Sequence, residues 1–386
     1  MKKVRIGLIG CGERLRSVTK ILLEKDRYIE IIALCDPNSK SIAIAKDLFN
    51  KNSIIYDNYH EMLKNPEIDW VMIGSWNCQH AEHTIASFEA GKNVFCEKPL
   101  ALSLQDCLAM KNAWKKSGKH FCIGFTLRYS PHYRKIKDLV NSGILGKIIS
   151  MEFNETLDFN HGGYIHADWR RKTEWAGSHM LEKCCHDIDL ANWIIDSNAM
   201  KAASFGSCSF FTSENASLIN DMEKNNNGKN AYQSWNSDNI IGNIKNPFND
   251  DKDILDNQVV LLQYENGVNA SFHTNCNSSF PERRMVILGS KGTLRSDVIS
   301  GKIEFKKIGF NTNIEDYSSG EKGGHGGGDD VLASELKDCM FNDSNPVSTL
   351  EDGLKAAVTV FGIDKAQETG QVYNLSELWQ LSKITF

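Results

Sequence analysis

Apolar residues fall in short runs along the first third of the chain, at Val4–Ile9, Ile29–Cys35 and Asp69–Ser75, each of strand length. Ser17–Lys25, Ser39–Asn50 and His80–Ala90 carry helical spacing between and after them. Further strands are predicted at Asn93–Cys96 and His120–Phe125, with a helix over Ser103–Lys116 between them. Strands alternating with helices predict right-handed βαβ units around a parallel sheet. Past about residue 126 the pattern changes. A helix over Pro131–Asn141 stops at Gly143, a C-cap signal. Strand-like stretches then dominate, at Ile148–Glu155, Ala202–Phe211, Val259–Tyr264, Ala270–Asn275, Arg284–Leu288 and Lys302–Lys306. Turns such as Glu265-Asn266-Gly267 predict an antiparallel or mixed sheet. Leu354, Ala357, Val358 and Phe361 mark the apolar stripe of a helix near 351–369. The polar, Asn-rich stretch 212–256 reads as a surface insertion.

A length of 386 residues exceeds what one core usually organises, so two domains are expected, over 1–125 and 126–386. A hydrophobic fraction of 41% with 24% charged residues is that of a soluble globular protein. The net charge of -5, with Lys and Arg spread along the chain, argues against a nucleic-acid partner. The 11 cysteines form no CxxC pair and several lie in apolar runs, which fits reduced thiols in the cytoplasm. Met1-Lys2-Lys3 resembles the start of a signal peptide, but the apolar stretch that follows is too short. No run approaches the about 20 apolar residues of a membrane span, so no membrane partner is expected.

Gly7-Leu8-Ile9-Gly10-Cys11-Gly12 closes the first strand and leads into a helix. Gly10 permits a tight turn, and Gly12 lets backbone approach a pyrophosphate held by the helix N-terminus. The third glycine of the GxGxxG fingerprint is replaced by Leu15, and an ordinary βα turn is the other reading of a lone GxG. Asp36 ends the second strand-like run, where a carboxylate accepts from ribose hydroxyls and repels a 2′-phosphate. Asp36 as a helix cap is the alternative, although Asn38 or Ser39 can serve instead. NAD is therefore preferred over NADP, with Arg14 and Arg16 near enough to keep NADP in view.

Cys96-Glu97-Lys98-Pro99-Leu100 adds a specific signal to this frame. With Asn77 and His80, Ala90-Gly91-Lys92-Asn93-Val94, Gly124-Phe125, Arg128-Tyr129, His186-Asp187-Ile188-Asp189 and Gly289-Ser290-Lys291-Gly292-Thr293-Leu294, it spans nearly the whole chain. The ordered series resembles the Gfo/Idh/MocA oxidoreductases, the family of glucose–fructose oxidoreductase and inositol dehydrogenase. The resemblance implies an α/β Rossmann domain with a parallel sheet. An α+β domain follows, with an open-faced, predominantly antiparallel β-sheet often used in oligomer contacts. It implies hydride transfer at a sugar or polyol carbinol, and a dimer or tetramer. Lys98 matches the catalytic lysine and His186 the family histidine, while Glu182 stands where an Asp is usual. Candidate cofactor contacts are Gly10, Gly12, Glu13, Arg14, Leu15, Asp36, Ser75, Trp76, Asn77, His80, Glu97, Lys98 and Arg128.

Leu181–Ile195 reads as one helix, on which Glu182, His186 and Asp189 are spaced i, i+4, i+7 and share a face. Two carboxylates beside His186 would orient its ring and suit it to act as general base; hydrogen bonds to loops are the structural alternative. Lys98 would stabilise the developing alkoxide. Cys184-Cys185-His186-Asp187 invites a metal reading, but adjacent helical residues point apart and cannot make a tetrahedral site without a second cluster, so no metal is expected. Substrate contacts are expected from Lys98, Tyr129, Trp169, Arg170, His186, Asp189 and His325. The aromatic, forked-donor segment around Trp169 suits a polyhydroxylated ring or, equally, an interdomain contact. The run Gly323–Asp330 reads as a loop carrying His325 over the sugar or as a surface linker, with Asp329 capping a following helix. Three functions fit. They are a sugar, inositol or glycoside dehydrogenase, a redox-neutral glycosidase or epimerase that retains NAD, and a non-catalytic NAD-dependent sensor.

Overall fold

The computed structural model describes residues 3–235, 245–249, 251–318 and 324–382. It divides into two compact units, Met1–Tyr129 with Gly327–Ala357, and Ser130–Gly326 with Val358–Phe386.

The first unit is built on parallel strands β1 (Val4–Ile9), β2 (Ile29–Cys35), β3 (Ile54–Ile55), β4 (Trp70–Ile73), β5 (Asn93–Cys96) and β6 (Phe121–Ile123). Their order is β3-β2-β1-β4-β5-β6. The runs are apolar apart from part-buried positions such as Arg5 and Glu30 because helices cover a parallel sheet on both faces, and Ile6, Leu8, Val71, Met72 and Phe95 are fully buried. Helix Ser39–Leu48 starts where the Asn38 side chain accepts from the backbone of Lys40 and Ser41. Helix Leu104–Ser117 starts at Ser103 and ends on left-handed Gly118. The strand order reverses direction between β1 and β4, the switch point beyond whose carboxyl ends open α/β sheets bind ligands.

This unit is not a contiguous 1–125. Helix Gly328–Asn342 returns to it, with Leu332, Ala333, Leu336, Cys339 and Met340 joining the core of Leu15, Val18 and Leu22. Residues 327–357, expected in the second domain, therefore complete the first, and helix Leu350–Thr369 crosses the boundary. Asp329 does not cap the returning helix. Gly327 stands at the N-cap, and Asp329 pairs with Arg14 instead.

The second unit holds β7 (Ile148–Asp158), β8 (Ala199–Ser207), β9 (Asn257–Tyr264), β10 (Asn269–Ser278), β11 (Arg284–Gly289), β12 (Gly292–Asp297), β13 (Lys302–Lys307), β14 (Ile314–Asp316) and β15 (Tyr373–Asn374). Their order is β14-β13-β12-β11-β7-β10-β9-β8-β15. Only β7 and β10 pair in parallel; the other described neighbours are antiparallel. Alternation marks one covered and one open face. Gln258, Val260 and Leu262 are buried, while Phe205, Val259 and Leu261 are exposed.

Two expectations for this unit change. The helix expected over Leu181–Ile195 is broken into His179–Glu182 and Cys185–Ile195, so Glu182 and His186 do not share one continuous helical face. The insertion is not merely a surface excursion. Phe211, Tyr232 and Phe248 are buried with Ile165 and Cys276 in a small core of their own. Asp256 closes its base, accepting from the backbone of Ser209, Phe210 and Phe211 at 3.1, 2.7 and 2.9 Å. Helix Phe159–Ala167, which has no strong helical pattern, runs beneath the insertion. Its glycines allow this: a Cβ at Gly162 would stand 1.7 Å from the Cys276 oxygen, and one at Gly163 would stand 2.0 Å from that of Tyr232.

Candidate active site

At the switch point of the first unit, Gly10 has φ +81°, and a Cβ there would lie 2.5 Å from the Ser75 nitrogen. The turn can therefore pass the end of β4 only as glycine. At Gly12 the nearest atom to an added Cβ is 4.0 Å away, so the approach to the N-terminus of helix Glu13–Lys25 stays open. That open, dipole-bearing helix start fits a pyrophosphate. The missing third glycine is compensated across the contact. Leu15 is buried against Gly74, where a Cβ would stand 2.7 Å from the Leu15 Cβ. Leu15 is thus a packing residue, not a cofactor contact through its side chain. Gly74 is readable in the sequence as a glycine closing the third apolar run, but only the spatial contact ties it to Leu15.

Asp36 accepts from the Cys11 N–H at 2.6 Å and from the Asn38 N–H at 2.7 Å through different oxygens. Each oxygen keeps a lone pair for a ribose hydroxyl. Arg14 is committed: Nε donates to Glu97 Oε1 at 2.9 Å, Nη2 to Thr126 Oγ1 at 2.7 Å, and Nη1 pairs with Asp329 at 2.7 Å. Arg16 donates to the Cys11 carbonyl at 2.5 Å and is buried. Gly124 makes room for Glu97, since a Cβ there would meet its Oε2 at 2.8 Å.

His80 ties two loops together at this edge. Its Nδ1 lies 2.7 Å from the Pro99 carbonyl and its Nε2 lies 3.2 Å from the Ser75 carbonyl. Burial lowers its pKa, so the ring is neutral and its single N–H donates to one of the two carbonyls. Ser75 Oγ meets His83 Nδ1 at 2.9 Å. Asn77 is buried at the start of the turn Asn77–Gln79, and Trp76 is exposed. Lys98, half-buried, follows β5 between Glu97 and Pro99. Arg128 is buried and pairs with Asp352 at 3.1 Å. Tyr129, expected at the substrate, is instead a core residue. It is 1% exposed, its hydroxyl meets Cys122 Sγ, and it accepts from the Ser348 N–H at 3.2 Å.

In the second unit, helix Cys185–Ile195 carries His186 and Asp189, both buried and three residues apart on one face. His325 lies beside His186, with ring centroids 6.0 Å apart. It is placed by three successive left-handed residues, His325, Gly326 and Gly327, and Ser130 Oγ donates to the Gly326 carbonyl at 2.9 Å. Residue 323 at the start of that loop, and residues 236–244 and 250 of the insertion, lie outside the described residues.

Glu182 is engaged by Arg170, accepting from its Nε at 3.0 Å. Arg170 Nη1 also donates to Asp168 at 2.6 Å and to Tyr164 Oη at 2.8 Å, and its guanidinium lies 4.5 Å from the Trp169 ring. The expected forked donor is therefore held by protein carboxylates. Behind the helix break, Arg283 donates to both oxygens of Asp187 at 2.8 and 2.7 Å and pairs with Glu155 at 3.1 Å. Lys183 pairs with Glu155 at 3.3 Å. Burial would raise the Glu155 carboxyl, but the two cations outweigh it and hold it ionised. This network pins the residues on either side of the break.

Residues 4–125 match the family described as "Oxidoreductase family, NAD-binding Rossmann fold", and residues 137–375 match its "C-terminal alpha/beta domain". The chain belongs to the Gfo/Idh/MocA family. Among Gfo/Idh/MocA relatives, YteT of Bacillus subtilis (strain 168) is 24% identical, over 85% of this chain and 88% of its own length. The inositol 2-dehydrogenase/D-chiro-inositol 3-dehydrogenase of Lactiplantibacillus plantarum is 27% identical over 50% of this chain. The chain spans about half (52%) of that dehydrogenase's length. In fold the chain is similar to levoglucosan dehydrogenase solved with NADH and levoglucosan (TM-score 0.77, 18% identity, 97% of this chain and 100% of that one). It is also similar to the WlbA dehydrogenase from Bordetella pertussis with NADH and UDP-GlcNAcA (TM-score 0.72, 19% identity, 97% and 99%). The parallel sheet followed by a mixed, mostly antiparallel sheet is the Gfo/Idh/MocA architecture. No helix of the described residues is long and apolar enough to cross a membrane.

Proposed function

We propose that the protein is an NAD-dependent dehydrogenase acting on a carbinol carbon of a sugar, inositol or glycoside. The observation that carries this reading is Lys98 at the end of β5, on the same sheet edge as the Gly10–Gly12 turn. Glu97 beside it is bonded to Arg14 of the cofactor helix, and His80 braces Pro99 on its other side. When bound, the nicotinamide supplies the hydride acceptor. Gly10, Gly12 and the start of helix Glu13–Lys25 hold the pyrophosphate, and Asp36 holds the ribose. Lys98 donates a hydrogen bond to the carbinol oxygen and steadies negative charge as it develops. His186 takes the hydroxyl proton, with Asp189 on the same helix face. NAD is favoured over NADP by the position of Asp36 and by the engagement of all three guanidinium nitrogens of Arg14, while Arg16 is buried and donates to the Cys11 carbonyl.

A second reading, redox-neutral turnover with retained NAD, gains from the His186–His325 pair, which offers two imidazoles for successive proton transfers. A sensor role would make no use of either Lys98 or His186. The apolar open face of the second sheet suits a homo-oligomer, a dimer or tetramer, to be measured by light scattering. Cysteines that are mostly buried suit the cytoplasm.

The deciding experiment assays nucleotide released on denaturation, then mixes native protein and NAD with sugars, inositols and glycosides. NADH formation supports the dehydrogenase. Retained NAD with glycoside cleavage or epimerisation and no net NADH selects the redox-neutral mechanism. A protein that binds no nucleotide refutes both.

A further inference from the structure

The insertion reaches the Arg170–Glu182 cluster of the second unit through one residue that the sequence pattern does not single out. Tyr232 is buried in the insertion's core and passes over Gly163, and Trp235 follows three residues later. The Trp235 ring stacks on that of His161, with centroids 4.3 Å apart and planes 6° from parallel. His161 opens the helix that carries Tyr164. Its pKa is lowered first by burial and then by Lys183, so the stacked ring is neutral. Glu182 and Arg170 act on the same imidazole electrostatically, which ties it to the cluster below Trp169. Arg170 lies 5.3 Å from the Tyr164 ring and 4.5 Å from that of Trp169. Trp235 itself is only partly buried.

Aromatic faces beside fixed, already neutralised charges suit a pyranose: its C–H face lies on the π surface and its hydroxyls meet the polar groups. Arg170, held by Asp168 and Glu182, is a poor recruiter of a substrate carboxylate, so an uncharged ring fits better.

We propose that Trp235, stacked on His161, forms a second sugar-ring subsite, so that the substrate is an uncharged glycoside with a second ring rather than a free monosaccharide. This inference rests on the sugar reading above.

Calorimetric affinities of the full-length protein with bound NADH, and initial rates with NAD, would be compared for glucose, galactose and myo-inositol against maltose, cellobiose and lactose. At least one disaccharide binds about five- to tenfold more tightly than its one-ring component. Trp235→Ala removes that advantage while one-ring affinities stay within about twofold, and Trp235→Phe keeps most of it. Equal losses for both classes on Trp235→Ala, with a lowered melting temperature, mean a packing role and overturn the subsite. A disaccharide advantage that survives Trp235→Ala also overturns it. If a one-ring sugar is bound and oxidised with no disaccharide advantage, the subsite fails and the dehydrogenase stands. If no sugar is bound or oxidised, both fail.

Discussion

Gly74→Ala tests how this chain manages without the third glycine of its dinucleotide turn. The new Cβ would stand 2.7 Å from the Leu15 Cβ and 3.2 Å from its Cγ and Cδ2. Carbon atoms pack at about 3.5–4.0 Å, so helix Glu13–Lys25 must withdraw by about 1 Å. Overpacking of this kind costs about 1–3 kcal/mol. The same withdrawal moves the Gly12 end of the helix away from the pyrophosphate, so NAD affinity falls about tenfold, equivalent to about 1.4 kcal/mol. Leu15→Gly alone empties a position that is 1% exposed. It costs about 2–5 kcal/mol for the lost side chain and about 1 kcal/mol for glycine in a helix. In the double variant the methyl added at position 74 enters space that Leu15 vacated, so the two penalties overlap by about 1–3 kcal/mol. Urea unfolding of the four proteins measures the cycle, and calorimetry measures NAD. Wild-type stability for Gly74→Ala, or penalties that add within about 0.5 kcal/mol, would refute the compensation.

Three further outcomes are expected. Asp36→Ala weakens NAD by about tenfold and NADP far less, so the ratio of the two affinities narrows; a wild-type protein that prefers NADP would sink the assignment. Lys98→Met slows turnover about 10²–10³-fold with NAD affinity retained, checked by single-turnover absorbance, and near-normal turnover would remove the lysine from the chemistry. Asp364→Asn flattens the pH dependence of stability. Burial, then Glu368, raises the Asp364 carboxyl from 3.8 to about 7, against the hydrogen bond from Ser178. The folded protein therefore holds a proton that the unfolded chain has lost, and stability falls as pH climbs from about 4 to 7, by up to about 4 kcal/mol. Denaturant melts at pH 5 and pH 8 should show a smaller difference in the variant than in wild type. An unchanged difference would contradict the buried-acid reading.

What can be read ahead of the structure follows from how locally each feature is determined. β1, β2 and β5 coincide with their apolar runs because a strand covered on both faces is apolar almost throughout, with Arg5, Glu30 and Asn93 only part-buried near the strand starts, and Gly10 or Asp36 ends the run at once. The break after Glu182 is invisible in the sequence because the apolar spacing runs on through it. It is set by distant partners: Lys183 is drawn to Glu155 of β7, and Asp187 to Arg283 before β11. The insertion's aromatic anchors are diluted among asparagines, so composition points to solvent while Phe211, Tyr232 and Phe248 build a core. The returning helix, with Asp329 on Arg14, joins segments from opposite ends of the chain, and no periodicity carries that information. Arg14 and Arg170 show the general point. Each is legible by type as a forked donor near a ligand, and each is taken up by carboxylates of the protein itself. Residue type gives the chemistry a position is capable of; its partners decide whether that chemistry is left for a ligand. For Arg14 this favours a cofactor without a 2′-phosphate, and for Arg170 a substrate without a carboxylate.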